Sequence, residues 1–294
     1  MKTLIVKLGA TGDVVRTTPL LNILPDEIDW ITRDENVIML TGNSKINQCI
    51  PWSRALIHLK SQYDLVINLE DSIEVAQFLN RIKYKDFFGS YVDKSNRLVY
   101  TESSKEWFDM SLISRYGKGR ADEVKFRNRK SYQEIVFGAL GYFFNGEKYF
   151  LPAPAQPGVK GDIAIASKSG AVWPMKNWAY YDELKSMLED AGYKVNMLPL
   201  RPTLIEHIAD VQNHKYLICG DSLPMHIALG SGIKCVTLFQ CTSPWEIYDY
   251  GLQTKIVSPL LERFFYKRSF DIKATTCILL EDVYEKVFRV ITEG

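Results

Sequence analysis

Strand-like and helix-like segments alternate through the second half of the chain at the spacing of a parallel, doubly wound sheet. The apolar run Asp162–Ser167 (DIAIAS) predicts a strand. Ala179–Gly192 follows with helical periodicity: Leu184 and Leu188 fall one turn apart, and Gly192 supplies a C-terminal stop. YKVNML, TLIEHIADVQ, KYLICG, SLPMHIALGSG and KCVTLFQ continue as strand, helix, strand, helix and strand. The first half begins in the same way. Thr3–Leu8 (TLIVKL) predicts a buried strand, followed by the loop GATGD and the helix VVRTTPLLNIL. IDWIT, ALIHL and Asp64–Leu69 (DLVINL) predict further strands, SIEVAQFLNRI and Ser131–Phe144 further helices, and 97–130 has no clear period. Between the halves, Leu151–Gly161 (LPAPAQPGVKG) concentrates prolines and glycines as a stiff connector does. The expected architecture is therefore α/β: two Rossmann-like domains, 1–151 and 152–294, with parallel sheets and a cleft between them. The final helix, around Leu280–Ile291, is expected to pack back on the first domain.

Charge and composition exclude several classes of function. The 36 basic residues against 35 acidic ones leave a net charge of +1 over 294 residues, so a nucleic-acid partner is not expected. No uncharged apolar run approaches the ~18 residues that span a bilayer. The N-terminal MKTLIVKLGATGD is interrupted by Lys7 and has no A-x-A-like cleavage site. The five cysteines are scattered without a C-x-x-C, which points to free thiols rather than a disulfide framework or zinc ribbon. A cytoplasmic protein is the expectation, compatible with peripheral contact at the inner face of a membrane. No D-x-D, H-E-x-x-H or G-x-S-x-G occurs and there are four histidines, so no metal is expected.

In an open α/β sheet, ligands bind outside the carboxyl ends of the strands, and three loops there carry the candidate residues. The first is Gly9–Asp13, which runs into Arg16 and Thr17; its glycines are three apart, so it is neither a P-loop nor a dinucleotide fingerprint. Asp13 is a candidate base, and equally a helix cap. The second is Gly220-Asp221-Ser222-Leu223-Pro224-Met225-His226, whose helix N-terminus suits a diphosphate, with His226 one turn beyond Ser222. A cap at Asp221 and a core histidine explain the same pattern. The third is Lys168–Trp178. Here Ser169 and Lys176 are placed to meet phosphate, or Lys176 is a solvated surface residue. Two basic stretches, Arg115–Lys130 and Arg263–Phe270, suit an anionic acceptor and lipid headgroups respectively, or are ordinary solvated faces.

Together these pieces resemble the lipopolysaccharide heptosyltransferases of glycosyltransferase family 9. LIVKLGATGDVVRTTPLL matches the family's opening strand and G-D-x-x-x-T-x-P loop. GDSLPMHIALGSGIKCVTLFQCTSPWEIYDYG matches its D-[ST]-G-x-x-H segment and the F-G-P-T strand end, and Lys176-Asn177-Trp178-Ala179 matches K-x-W-P. The chain departs from the pattern at Leu223, at Gln240 and Cys241, and at Ala179, all on the donor side. The resemblance implies a GT-B fold and an inverting, metal-independent transfer from a nucleoside-diphosphate sugar, heptose among the options, to a glycan, glycolipid or other hydroxyl acceptor. It implies Asp13 as base, with Gly12, Arg16 and Thr17 on the acceptor side. It implies Ser169, Lys176, Asp221, Ser222, Met225, His226 and Thr242 around the donor. Glu70 and Asp71, after DLVINL, are reserve candidates for the base. A nucleotide-sugar epimerase or hydrolase on the same fold, and a non-catalytic nucleotide-sugar-binding protein, are the alternatives.

Overall fold

The computed structural model describes residues 1–25, 27–58, 61–110, 116–155 and 158–293. The chain divides into two compact units, Met1–Pro152 and Ala153–Gly294, within the proline-rich connector.

The first unit is built on a six-stranded sheet: β1 (Thr3–Val6), β2 (Ile28–Thr32), β3 (Ile46–Pro51), β4 (Gln62–Asn68), β5 (Lys83–Val92) and β6 (Leu98–Tyr100), in the order β3-β2-β1-β4-β5-β6. All pairings are parallel except β5 with β6. Helices α1 (Thr11–Thr17), α2 (Leu20–Ile23), α3 (Ile73–Leu79), α4 (Lys105–Asp109), α5 (Lys118–Arg127) and α6 (Tyr132–Ala139) complete it. β1 is central and covered on both faces. Ile5 packs with Val14, Trp30 and Val136, while Leu4 and Val6 pack with Ile31, Val66 and Leu79. A doubly covered strand reads as one unbroken apolar run, and this is how TLIV reads.

Two elements differ from expectation. Trp52–His58, which contains most of ALIHL, is a 3₁₀ helix: the turn buries Ala55 and leaves Leu56 and Ile57 exposed. The strand of this region is instead β3, an edge strand whose Asn47 and Gln48 face solvent, so its sequence carries little apolar signal. α6 stops at Ala139, short of Phe144. Gly141 takes φ +83°, and the amides of Gly141 and Tyr142 close on the carbonyls of Gly138 and Phe137, the paired bonds of a Schellman C-cap. Phe144 then turns back onto Phe137. At the other end, Ser131 and Glu134 form a capping box.

The second unit holds β7 (Ile163–Ala166), β8 (Val195–Met197), β9 (Tyr216–Gly220), β10 (Lys234–Phe239) and β11 (Gln253–Val257), all parallel, in the order β11-β10-β9-β7-β8. Its helices are α7 (Tyr181–Asp190), α8 (Leu204–Gln212), α9 (Leu223–Gly230), α10 (Leu261–Phe264), α11 (Ile272–Thr276) and α12 (Leu280–Thr292). In the final helix, Val283 and Val287 of α12 are buried in this unit's own core with Leu184, Leu188 and Ile256.

Each sheet has one place where the winding reverses. β1 is flanked by β2 and β4, and β7 by β8 and β9. The crevice outside the carboxyl ends of such a strand pair is where α/β sheets take ligands.

Candidate functional site

In the first unit, the chain leaves β1 through Lys7, Leu8 and Gly9 into α1. The N-cap of α1 is Ala10, and no side chain caps it, so the cap reading of Asp13 does not hold. Asp13 lies inside the first turn, where the helix dipole favours a carboxylate, and its Oδ1 is 2.9 Å from Arg16 Nη2. The Arg16 guanidinium stacks over the Tyr132 ring at 4.3 Å. Thr17 points inward: it is 1% exposed, its hydroxyl donates to the Asp13 carbonyl at 2.7 Å, and it lies 2.5 Å from Tyr132 Oη. It braces the helix and is not open to an acceptor, contrary to expectation. Gly12 sits half-buried in the first turn.

Across the switch point, the loop after β4 supplies Glu70. Its Oε1 accepts from Lys7 Nζ at 2.8 Å and from the amides of Leu8 and Gly9 at 2.8 and 3.0 Å. Asp71 accepts from Tyr100 Oη at 2.7 Å. A carboxylate oxygen with three donors is a brace rather than a base. Asn36 ties the same loop from the other side, donating to the Leu8 and Gly9 carbonyls and accepting from Thr11. Lys7, Asn36 and Tyr132 escaped the sequence reading. The available signal for Lys7 was a lysine directly following a fully buried strand.

In the second unit, the loop after β7 meets the loop after β9. Lys176 Nζ donates to the Asp221 carbonyl at 2.6 Å and to Asp221 Oδ2 at 2.9 Å, with side chains 11% and 16% exposed. Lys176 is therefore not a solvated surface residue. Burial would raise the Asp221 carboxyl, but Lys176, the Thr242 hydroxyl and nearby His226 outweigh it and hold it at about 2. Thr242 Oγ1 stands close to the carboxylate without meeting regular hydrogen-bond geometry. Gly220, at the end of β9, makes this closure possible: a methyl group there would lie 3.1 Å from the Lys176 carbonyl oxygen. Trp173 packs beneath the lysine at 5.5 Å, against Tyr266.

The remaining donor-side residues divide. Ser222 is the N-cap of α9, yet its side chain leaves the helix amides uncapped and bonds weakly to the Gly220 carbonyl at 3.3 Å. His226 is buried in α9 and contributes to the field at Asp221. The Met225 side chain is fully buried and its amide is bonded to the Ser222 carbonyl at 3.1 Å, so it offers nothing to a ligand, against expectation. The Ser169 hydroxyl lies 3.0 Å from both the Trp173 carbonyl and Asn177 Oδ1; it fastens the loop. After β10, Gln240 Oε1, Thr242 Oγ1 and Ser243 Oγ are buried without a protein partner. Buried polar groups normally find one, and these three cluster where β10 ends at the same sheet edge.

The two basic stretches behave as solvated faces. Lys118 pairs with Asp122, Arg120 with Glu123, and Lys130 with Glu106; Arg115 lies outside the described residues. Phe264, Phe265 and Tyr266 are core aromatics, with Phe270 exposed. Among the described residues, no group of three or more His, Cys, Asp or Glu could hold a metal ion, all five cysteines are free, and no helix is long and apolar enough to cross a membrane.

No family model and no curated protein matches the sequence. Solved structures do match over the whole chain. A glycosyl transferase family 9 protein from Veillonella parvula is similar at 16% identity and a TM-score of 0.72, covering 100% of this chain and 98% of that one. Escherichia coli heptosyltransferase WaaC with ADP is similar at 15% identity and a TM-score of 0.65, covering 99% and 100%. The E. coli ADP-heptose LPS heptosyltransferase II gives 15% and 0.63, covering 100% and 99%. The fold is that of the family 9 glycosyltransferases. The dodecameric TibC of enterotoxigenic E. coli, described as iron-containing, is similar at 13% identity and a TM-score of 0.61, covering 99% of this chain and 76% of that one.

Proposed function

We propose that this chain is a glycosyltransferase that moves a sugar, with heptose the leading candidate, from an ADP-sugar to a hydroxyl of a lipopolysaccharide-type glycan or glycolipid. The observation that carries the reading is the buried Lys176–Asp221 pair across the winding reversal of the second sheet, on a fold whose solved examples include one with ADP. The lysine, held by a carboxylate of very low pKa, is a fixed cation beside the uncapped start of α9. That is a place for the charge that develops on a departing diphosphate. Asp13 takes the proton of the acceptor hydroxyl, a step worth roughly 10²–10⁴-fold. The hydroxyl oxygen forms its bond to the anomeric carbon as the bond to the diphosphate oxygen breaks, which inverts the centre. Lys176 does the work of a metal, so the transfer is metal-independent. The reaction belongs in the cytoplasm, with peripheral contact at the inner face of the membrane.

A thermal-shift series with ADP, UDP, GDP and CDP tests the donor side. ADP at a hundred times its Kd stabilises by about 2.7 kcal/mol, and EDTA leaves the shift unchanged. Release of ADP from ADP-heptose, dependent on a lipopolysaccharide-core acceptor, tests transfer. Acceptor-independent release, or no nucleotide binding, refutes the reading.

A further inference from the structure

Lys7 is a buried cation fixed from one side. Its side chain is 8% exposed, and its ammonium donates to Glu70 Oε1 at 2.8 Å. Glu70 is itself immobilised. Its amide donates to Asn68 Oδ1 at 3.1 Å, its carbonyl accepts from Ser90 Oγ at 2.6 Å, and Asn68 Nδ2 donates to the Ser90 carbonyl and hydroxyl. Gly9 measures how close the cation comes to the loop: a methyl group built there would lie 2.7 Å from Lys7 Nζ and 3.2 Å from Asp13 Cβ. The ammonium and the aspartate thus converge on one glycine Cα.

We propose that Lys7 is a positioning residue for Asp13, a partly neutralised counter-charge that keeps its carboxyl ionised while Glu70 limits how strongly it does so. The proposal rests on the reading of Asp13 as base. Arg16 pairs directly with Asp13, and Lys7 adds a second, buried cation whose charge Glu70 partly offsets. A lysine shared with Glu70 stabilises the anion and still lets the proton arrive. Arg16 on α1, Lys7 after β1 and Tyr132 on α6 act on Asp13, and Glu70 after β4 acts on Lys7. Burial would lower the Lys7 pKa, but Glu70, Asp13 and Tyr132 together raise it, so the lysine stays charged.

The test is a carboxyl titration of Asp13 by NMR in the full chain with labelled aspartate, the Asp13 signal identified by its loss in Asp13→Asn. Lys7→Met moves the Asp13 midpoint up by about one pH unit. Lys7→Arg holds it near the wild-type value. Glu70→Gln keeps an acceptor for the Leu8 and Gly9 amides and moves the midpoint down. A merely structural lysine gives no such opposed pair of shifts. An unmoved midpoint in folded Lys7→Met and Lys7→Arg, or shifts of the same sign in Lys7→Met and Glu70→Gln, overturns the proposal. Circular dichroism verifies folding; should Lys7→Met fail to fold, the sign of the Glu70→Gln shift decides alone. ADP release from ADP-heptose by Asp13→Asn separates the two readings. Activity near wild type there removes Asp13 as base, whatever the titration gives.

Discussion

Lys176 and Asp221 are 45 positions apart in the chain and joined by a 2.9 Å ion pair that also engages the Asp221 carbonyl. The pair makes a stability prediction with a definite sign. Asp221 is held at about 2, below the ordinary carboxylate value of about 3.9. Its contribution, on the order of 2 kcal/mol, is present above the unfolded value and is lost as pH falls through the folded one. Lys176→Met removes the largest compensating charge, so burial then raises the carboxyl. The variant melts lower than wild type at neutral pH and recovers part of the difference as pH falls from about 7 toward the unfolded carboxylate value of about 3.9. Calorimetry across that range checks it; a difference independent of pH contradicts it.

Asp13→Asn keeps size and removes the charge. With the helix N-cap at Ala10, the expected loss of stability is under about 1 kcal/mol. Transfer falls roughly 10²–10⁴-fold, and ADP binding is unchanged. Melting temperature, ADP titration and turnover, measured on one preparation, check all three statements.

Gly220→Ala places a methyl group 3.1 Å from the Lys176 carbonyl oxygen. The contact is with backbone, so the loop shifts rather than a side chain. We expect ADP affinity to fall several-fold, about 1 kcal/mol, with little change in melting temperature. Isothermal titration measures it, and an unchanged Kd would show that the loop position is irrelevant to the nucleotide.

Gly89→Ala is severe for a different reason. Gly89 takes φ +122°, and a methyl group there would lie 2.0 Å from the Asn68 carbonyl oxygen. The loss is expected to exceed about 2 kcal/mol. It also displaces the Asn68–Ser90 network that fixes Glu70. Denaturant midpoints check it, with Gly119→Ala, where the methyl group meets nothing, as the control.

The alternation of elements was legible because central parallel strands are covered on both faces, and IAIA and TLIV carry that burial in every residue. β3 was not legible, since an edge strand with Asn47 and Gln48 outward has little apolar content to betray it. The sites were half legible. Asp13 and Asp221 each follow a glycine, the one after β1 and the other after β9, a pattern that sequence spacing carries, whereas Lys176 lies in a 3₁₀ turn and meets Asp221 only through the fold. Lys7, Glu70 and Asn36 act through long-range hydrogen bonds between loops that only the strand order brings together. Met225 and Ser169 show the converse: residues in the right loop can have their polar groups consumed by the loop itself.

Among the described residues the strands form two separate sheets, which bears on how a chain of this kind can be assembled. Each half carries its own core, so a junction near Pro152 joins two modules without breaking a β-ladder. Because each half keeps its own core, each is expected to fold when expressed without the other.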